Sequence, residues 1–211
     1  AEVQSALMST SVTTVVDNDG ATQADPSAMG AGRVDLAQAG LAGLLFDETT
    51  AAFEAADPAD GGDPSSLNLP SMGQDQCVGT CSWTRTVENA MAVAGNWTAS
   101  TTAEAGMGLS VSPSSFSLDP GETQEIVITA DVTGSPEGEW LFGHIFLAED
   151  GAQAPDTHMP VAAAFSAGSL PESVDIVTRR NAGSQLATDL RAIEITDLTT
   201  TVHGLVKGDV T

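Results

Sequence analysis

The segment Ser82-Trp83-Thr84-Arg85-Thr86-Val87-Glu88-Asn89 reads as a β-strand, carried by its tryptophan and β-branched residues. Immediately before it stands the chain's cysteine pair, in Cys77-Val78-Gly79-Thr80-Cys81. Around it, from Ser65 to Ala167, short strand-like runs alternate with turn signals, and Trp83, Trp97 and Trp140 all lie inside this stretch. The candidate strands are 66–69, 82–89, 96–103, 107–112, 125–132, 139–148 and 158–166. Their spacing fits a two-sheet antiparallel sandwich. Alternation places Leu67 and Leu69, Leu109 and Val111, Ile126, Ile128, Ala130 and Val132, and Val161, Ala163 and Phe165 on inner faces. The run Trp140 to Leu147 is apolar on both faces, so it is either central or covered by another part of the protein.

The chain has 211 residues, 41% hydrophobic and 4% aromatic with no tyrosine, so its core must be built mainly of Val, Ile, Leu and Ala. Six basic and 29 acidic residues give a net charge of −23. Such a field disfavours nucleic acid and anionic membrane surfaces as partners. The acidic residues are dispersed, which fits a solvated surface. No stretch of about 18 apolar residues is present to span a membrane as a helix.

Outside the sandwich, Val3, Ala6, Leu7 and Thr10 recur at helical spacing, followed by an extended run from Val12 to Val16 and a turn at Asp17-Asn18-Asp19-Gly20. A second helix is expected from Val34 to about Leu45, with Val34, Ala37, Leu41 and Leu45 on one stripe and Asp35 in its first turn. Residues 47–63 form a connector, rich in Asp-Pro and Gly-Gly turns, with Phe46 and Phe53 as its anchors. Residues 168–211 suggest strands at Val174–Val177, Ala192–Thr196 and Thr199–Leu205, the start of a further β module or strands added to the first.

Several of these segments carry a family likeness. Arg85-Thr86-Val87-Glu88-Asn89, Val111-Ser112-Pro113, Pro120-Gly121-Glu122-Thr123 and Met159-Pro160-Val161, taken in order, resemble the fibronectin-type-III-like domain that follows the catalytic domain in large secreted subtilisin-like serine proteases (subtilases). Glu2-Val3-Gln4-Ser5-Ala6-Leu7-Met8-Ser9-Thr10 resembles the helix downstream of the catalytic serine in that family, and Ala28-Met29-Gly30-Ala31-Gly32-Arg33-Val34-Asp35-Leu36 is similar to the segment opening the last helix of the catalytic domain. The resemblance spans residues 1–46 and 64–166 and does not extend to the tail after Ala167. It implies an incomplete C-terminal end of a catalytic domain (1–46) and a fibronectin-III-like sandwich (64–167); with the turn-rich linker (47–63) and the strand-like tail (168–211) read from the residues, the chain is mainly β.

The family's G-T-S-M-A, H-G-T and aspartate motifs do not occur in this sequence, and His144, His158 and His203 stand in no base motif. No catalytic residue is therefore assigned. The resemblance implies a non-catalytic region of a secreted endopeptidase that stabilises the catalytic domain and shapes substrate access. Its partners would be that missing domain of the same chain and the protease's protein substrates. A different class, a stand-alone extracellular sandwich binding carbohydrate or protein, would use Trp83, Trp97 and Trp140 as a ligand-facing platform, although a tyrosine-free sandwich needs its few large rings for its core and interdomain packing. Self-association through a sheet edge is a further consequence of a missing partner.

Three smaller candidates remain. Cys77 and Cys81 either close a short disulfide loop, which implies an oxidising compartment, or stay reduced; a zinc site lacks further ligands. Asp17, Asp19 and Asp25 offer oxygens at spacings used in calcium loops, but the loop's terminal glutamate is missing and an Asp/Asn/Gly turn explains them equally. Calcium is the one cofactor considered. Asn96-Trp97-Thr98 matches an N-glycosylation sequon.

Overall fold

The computed structural model describes residues 1–169 and 191–193. Its main body is a β-sandwich built on the period-2 alternation of its strands. In β3 (Thr80–Asn89), Trp83, Arg85, Val87 and Asn89 point inward and are buried, while Ser82, Thr84 and Thr86 face solvent. β3 pairs antiparallel with β7 (Thr123–Asp131), placing Trp83 opposite Ile128 and Arg85 opposite Ile126. β1 (Leu44–Leu45) and β5 (Gly108–Ser112) flank this pair, giving sheet one the order β1-β3-β7-β5, antiparallel throughout.

Sheet two has the order β2-β9-β8-β4-β6, from β2 (Met72–Cys77), β9 (Thr157–Phe165), β8 (Trp140–Glu149), β4 (Gly95–Ala103) and β6 (Ser115–Leu118). All its pairs are antiparallel except β2 with β9. The fold is thus mainly β, fibronectin-III-like, with mixed sheets and short helices towards the N-terminus.

The inner faces meet in one core. Val87, Ile126, Ile128, Ala130 and Val132 approach from sheet one or its continuation, and Ile145, Leu147, Met159, Val161 and Ala163 from sheet two. Each fully buried aliphatic side chain of this size contributes about 1.5–3 kcal/mol. Trp97 stacks on Phe116 with ring centroids 5.9 Å apart, supplying the bulk that a tyrosine-free core lacks. The turn Pro120–Thr123 between β6 and β7 needs a left-handed residue, met by Gly121 at φ +75°.

Two buried polar side chains on β3 tie this core to irregular backbone. Arg85, 2% exposed, donates from Nε to the Leu69 carbonyl at 2.7 Å, from Nη2 to Ser71 at 3.0 Å, and from Nη1 to Thr84 at 2.8 Å and Ser65 at 3.2 Å. Asn68, in the same segment, pairs like a strand residue with Thr86, donating to its carbonyl at 2.8 Å and accepting from its N–H at 2.8 Å. At the other end of β3, Asn89 donates to the carbonyls of Val93 and Leu118 and accepts from the Met91 N–H.

Several sequence expectations are corrected. Residues 66–69 are not a strand: the chain makes a short 3-10 turn at Pro64–Ser66 and then irregular backbone whose carbonyls Arg85 collects, and the strand begins at Met72. The helix expected from Val34 to Leu45 shrinks to α3 (Leu36–Ala39), capped by Asp35. Gly40 and Gly43 weaken its continuation, and Leu44–Leu45 instead joins sheet one beside Asn89 and Glu88. α1 (Glu2–Ser9) forms, but Ser5 and Ser9 are its buried residues, whereas Val3 on the anticipated apolar stripe is 75% exposed. The connector holds α4 (Thr50–Ala55); Phe46 is buried as expected, but Phe53 is exposed and anchors nothing.

α2 (Pro26–Met29) completes the N-terminal segment. Beyond the sandwich, β10 (Gly168–Ser169) and β11 (Arg191–Ala192) form a two-residue antiparallel pair. The strands expected at 174–177 and 199–205 lie outside the described residues, as does most of 192–196.

Arg85→Met is expected to lower the unfolding free energy by at least about 3 kcal/mol, because several carbonyls lose their donor together. Urea denaturation checks this, and a loss below about 1 kcal/mol would mean that water replaces the guanidinium at little cost.

Candidate functional site

The outer face of sheet two is where the N-terminal segment meets the sandwich. Side chains that alternate outward there include Trp140, Phe142, His144 and Phe146 from β8 and His158, Pro160 and Ala162 from β9. Residues 1–42 lie across part of this face, with α1 and α2 packed against β9. The segment is folded back on itself by bridges from Val12 to Arg33 and from Val16 to Gln23. Gly32 permits this closure, since a Cβ there would sit 2.5 Å from the Val12 carbonyl oxygen and its φ is +123°.

Polar contacts hold the N-terminal segment in place. The Ser5 hydroxyl accepts the Phe46 N–H at 2.7 Å, and His158 Nε2 donates to the Ala31 carbonyl at 2.8 Å. Because a carbonyl only accepts, this bond fixes the proton on Nε2 of His158. The His144 ring lies 6.3 Å from that of His158, and both flank Phe146. His144 Nδ1 is buried with no hydrogen-bond partner among the described residues. Burial pushes the pKa of both histidines down; the proximity of His158 adds to the effect at His144, whereas bonds to the Ala31 and Ser9 backbone oppose it at His158.

Grooves open on either side of the seam. One, of about 340 Å³, is largely apolar and runs between Met8, Pro26 and Ala31 on one wall and Met72, Trp140 and Pro160 on the other. The other, of about 360 Å³, is bounded by Asp25, Glu104, Phe142 and His144.

The structure disposes of the sequence candidates unevenly. Cys77 and Cys81 form a disulfide, with Cα atoms 5.4 Å apart, so neither the reduced pair nor a zinc site applies. The bridge joins the end of β2 in sheet two to the start of β3 in sheet one, at the point where the chain crosses between sheets. The tryptophan platform is corrected: Trp83 and Trp97 are buried in the core, and only Trp140, 44% exposed, reaches a groove.

Asp17, Asp19 and Asp25 are not gathered into a calcium site. No group of three His, Cys, Asp or Glu residues suited to a metal occurs among the described residues. Asp19 instead accepts from Ala21 N, Thr22 N and the Thr22 hydroxyl, which hold its pKa down to about 2, the Thr22 hydroxyl foremost. Asp25 caps α2 through the Ala28 N–H. The sequon residue Asn96 is exposed on β4 and its side-chain oxygen accepts from the Ser117 hydroxyl.

Neither His144 nor His158 is hydrogen-bonded to a serine hydroxyl or a carboxylate among the described residues, and His203 lies outside them. The sequence shows His144 and His158 only as histidines outside any base motif and does not place them side by side. The signal that unites them is the β8–β9 register, which sets Phe146 opposite His158 and His144 opposite Pro160.

Comparison with known proteins bears on the sandwich. Residues 66–163 match the model of the fibronectin type-III domain. No curated protein matches the sequence. Among solved structures, a FixG-related protein from Vibrio parahaemolyticus is similar at 8% identity and TM-score 0.35, over 41% of this chain and 78% of that one. The secreted serine protease VesC from Vibrio cholerae is similar at 9% identity and TM-score 0.36, over 47% of this chain but only 22% of that one. The E. coli chaperone DraB is similar at 13% identity and TM-score 0.37, over 46% of this chain and 52% of that one.

Because the Cys77–Cys81 loop is short, its removal is expected to destabilise by about 2 kcal/mol, a loop-closure value. Denaturant unfolding of the Cys77→Ser/Cys81→Ser variant measures the loss, and a stability unchanged from wild type would remove the bridge from the account.

Proposed function

We propose that this chain is the non-catalytic C-terminal region of a secreted subtilisin-like serine endopeptidase, and that its fibronectin-III-like sandwich stabilises the catalytic part and borders substrate access. The observation that carries this reading is the way the segment resembling the catalytic domain's end, residues 1–46, is built into the sandwich. Leu44–Leu45 extends sheet one, Phe46 enters the core, and Ala31 is hydrogen-bonded to His158 of sheet two. The same segment leaves Val3, Val34, Leu36 and Leu41 exposed. Those side chains suit packing against the remainder of a catalytic domain, and the sandwich would hold them in place. The disulfide suggests an oxidising environment, in keeping with secretion.

A second reading, a stand-alone extracellular module that binds carbohydrate or protein, draws on Trp140 beside the apolar groove. Quenching or shifting of Trp140 fluorescence by polysaccharide or peptide, lost in Trp140→Ala, would favour it over the first.

The direct test assays casein and fluorogenic-peptide cleavage by the 211-residue chain and by the full-length protein. The expected result is no cleavage by the chain alone and cleavage by the full-length protein that a serine-directed inhibitor blocks. Deleting residues 64–167 from the full-length protein should lower its melting temperature while changing kcat by less than about threefold. Full stability after the deletion, or inhibitable activity in the isolated chain, would overturn the proposal.

A further inference from the structure

We infer that the seam between the N-terminal segment and sheet two is an acid-sensitive latch: proton uptake by the His144–His158 pair releases residues 1–42 from the sheet while the sandwich stays folded. This inference does not depend on the proposed protease role.

The geometry supplies the two halves of a latch. His158, 3% exposed, is closed over by the N-terminal segment and bonded to its Ala31 carbonyl. His144, its neighbour across β8 and β9, has a buried Nδ1 with no acceptor among the described residues to receive a proton's hydrogen bond. An imidazolium on this half-buried ring would therefore carry a buried Nδ1–H without an acceptor, which is costly. A second positive charge on the ring 6.3 Å away adds repulsion. Lifting the N-terminal segment uncovers His158 and removes the Gln23–Pro26 wall of the groove beside His144, which relieves these penalties.

Other charged groups bear on the pair from the surrounding elements. Asp25, at the start of α2, and Glu104, after β4, are the carboxylates that line the groove that includes His144. The Ala31 and Ser9 backbone favours the charged form of His158. Glu2 and Arg33 on the covering segment are exposed. Burial nevertheless outweighs the favourable contacts, and both histidines sit below their ordinary value.

The sign follows from linkage. A histidine whose docked pKa is depressed binds fewer protons docked than released, so docking is complete above about pH 6.5, the free value. It weakens as pH falls through that value towards the docked pKa. The rest of the structure has reason to remain folded, because the core residues of β3, β7, β8 and β9 make their contacts within the sandwich.

The test is amide hydrogen exchange on the intact chain at about pH 7.5 and about pH 5.5, corrected for intrinsic rates, with histidine titration followed by NMR. Amides of Ser5, Thr10 and Val12 should lose about tenfold or more of their protection at the lower pH, while those of β3 and β7 keep theirs. The His144→Phe/His158→Gln variant should lose this pH dependence, glutamine retaining a donor for Ala31. Simultaneous loss of protection in α1 and β7 would overturn the latch, as would an undiminished dependence in the variant. Should that variant not fold, the titration decides in the wild type: both rings must titrate below about 6.5, together with α1 release. Titration at or above the free value overturns the inference.

Discussion

A guanidinium at the rim of the sandwich core organises the entry of the chain into the fold. Arg85 faces inward between Trp83 and Val87 and is held by backbone carbonyls in place of a carboxylate. Burial lowers its pKa to about 10, with the charge of Glu48 acting in the opposite direction, so the group remains cationic at neutral pH. A planar, multi-donor cation suits this position: it donates to the carbonyls of Ser65, Leu69 and Ser71 in an irregular segment, the Leu69 carbonyl also accepting the Ser71 N–H. Without it, residues 65–71 would bring unpaired polar groups to the edge of an apolar core. Asn89 does the same at the far end of β3, where the turn after β3 and the end of β6 converge.

From these anchors the rest follows in sequence. Arg85 and Asn68 set the path into β2, the disulfide fixes the crossing from β2 to β3, and the two sheets close over their aliphatic faces. β1 then extends β3, which brings Phe46 into the core and Ser5 against its backbone. The N-terminal segment is thus carried across the outer face of sheet two, above His158, with an apolar groove left at its side. The sandwich acts as the platform and the N-terminal segment as what it carries.

Much of this was legible in the sequence, and the failures have causes. Ile126, Ile128, Ala130 and Val132 alternate strictly, and all are fully buried. Trp140 to Leu147 is apolar on both faces because β8 is central in its sheet and partly covered outside. By contrast, β2 reads as Met-Gly-Gln-Asp-Gln-Cys, with only its end residues buried, and carries no strand signal of its own. Its pairing with β9 is a tertiary effect. The stripe from Val34 to Leu45 counted apolar residues at helical spacing but gave too little weight to Gly40 and Gly43. A tyrosine-free composition calls for its few large rings inside, and Trp83 and Trp97 are interior; side-chain identity does not reveal which face of a strand is covered, and Trp140 alone of the three faces out. The histidine pair was hidden for a related reason, since only the register of β8 against β9 brings the rings together.

The most direct check on the role given to Arg85 is the hydrogen-exchange rate of its side-chain Nε–H, followed by 15N NMR at neutral pH. Held by the Leu69 carbonyl and shielded from water, that proton should exchange far more slowly than in free arginine and keep its protection until the sandwich unfolds. Exchange as fast as in free arginine, in a chain whose β3 and β7 amides remain protected, would show that the guanidinium is not caged and that another interaction sets the path of residues 65–71.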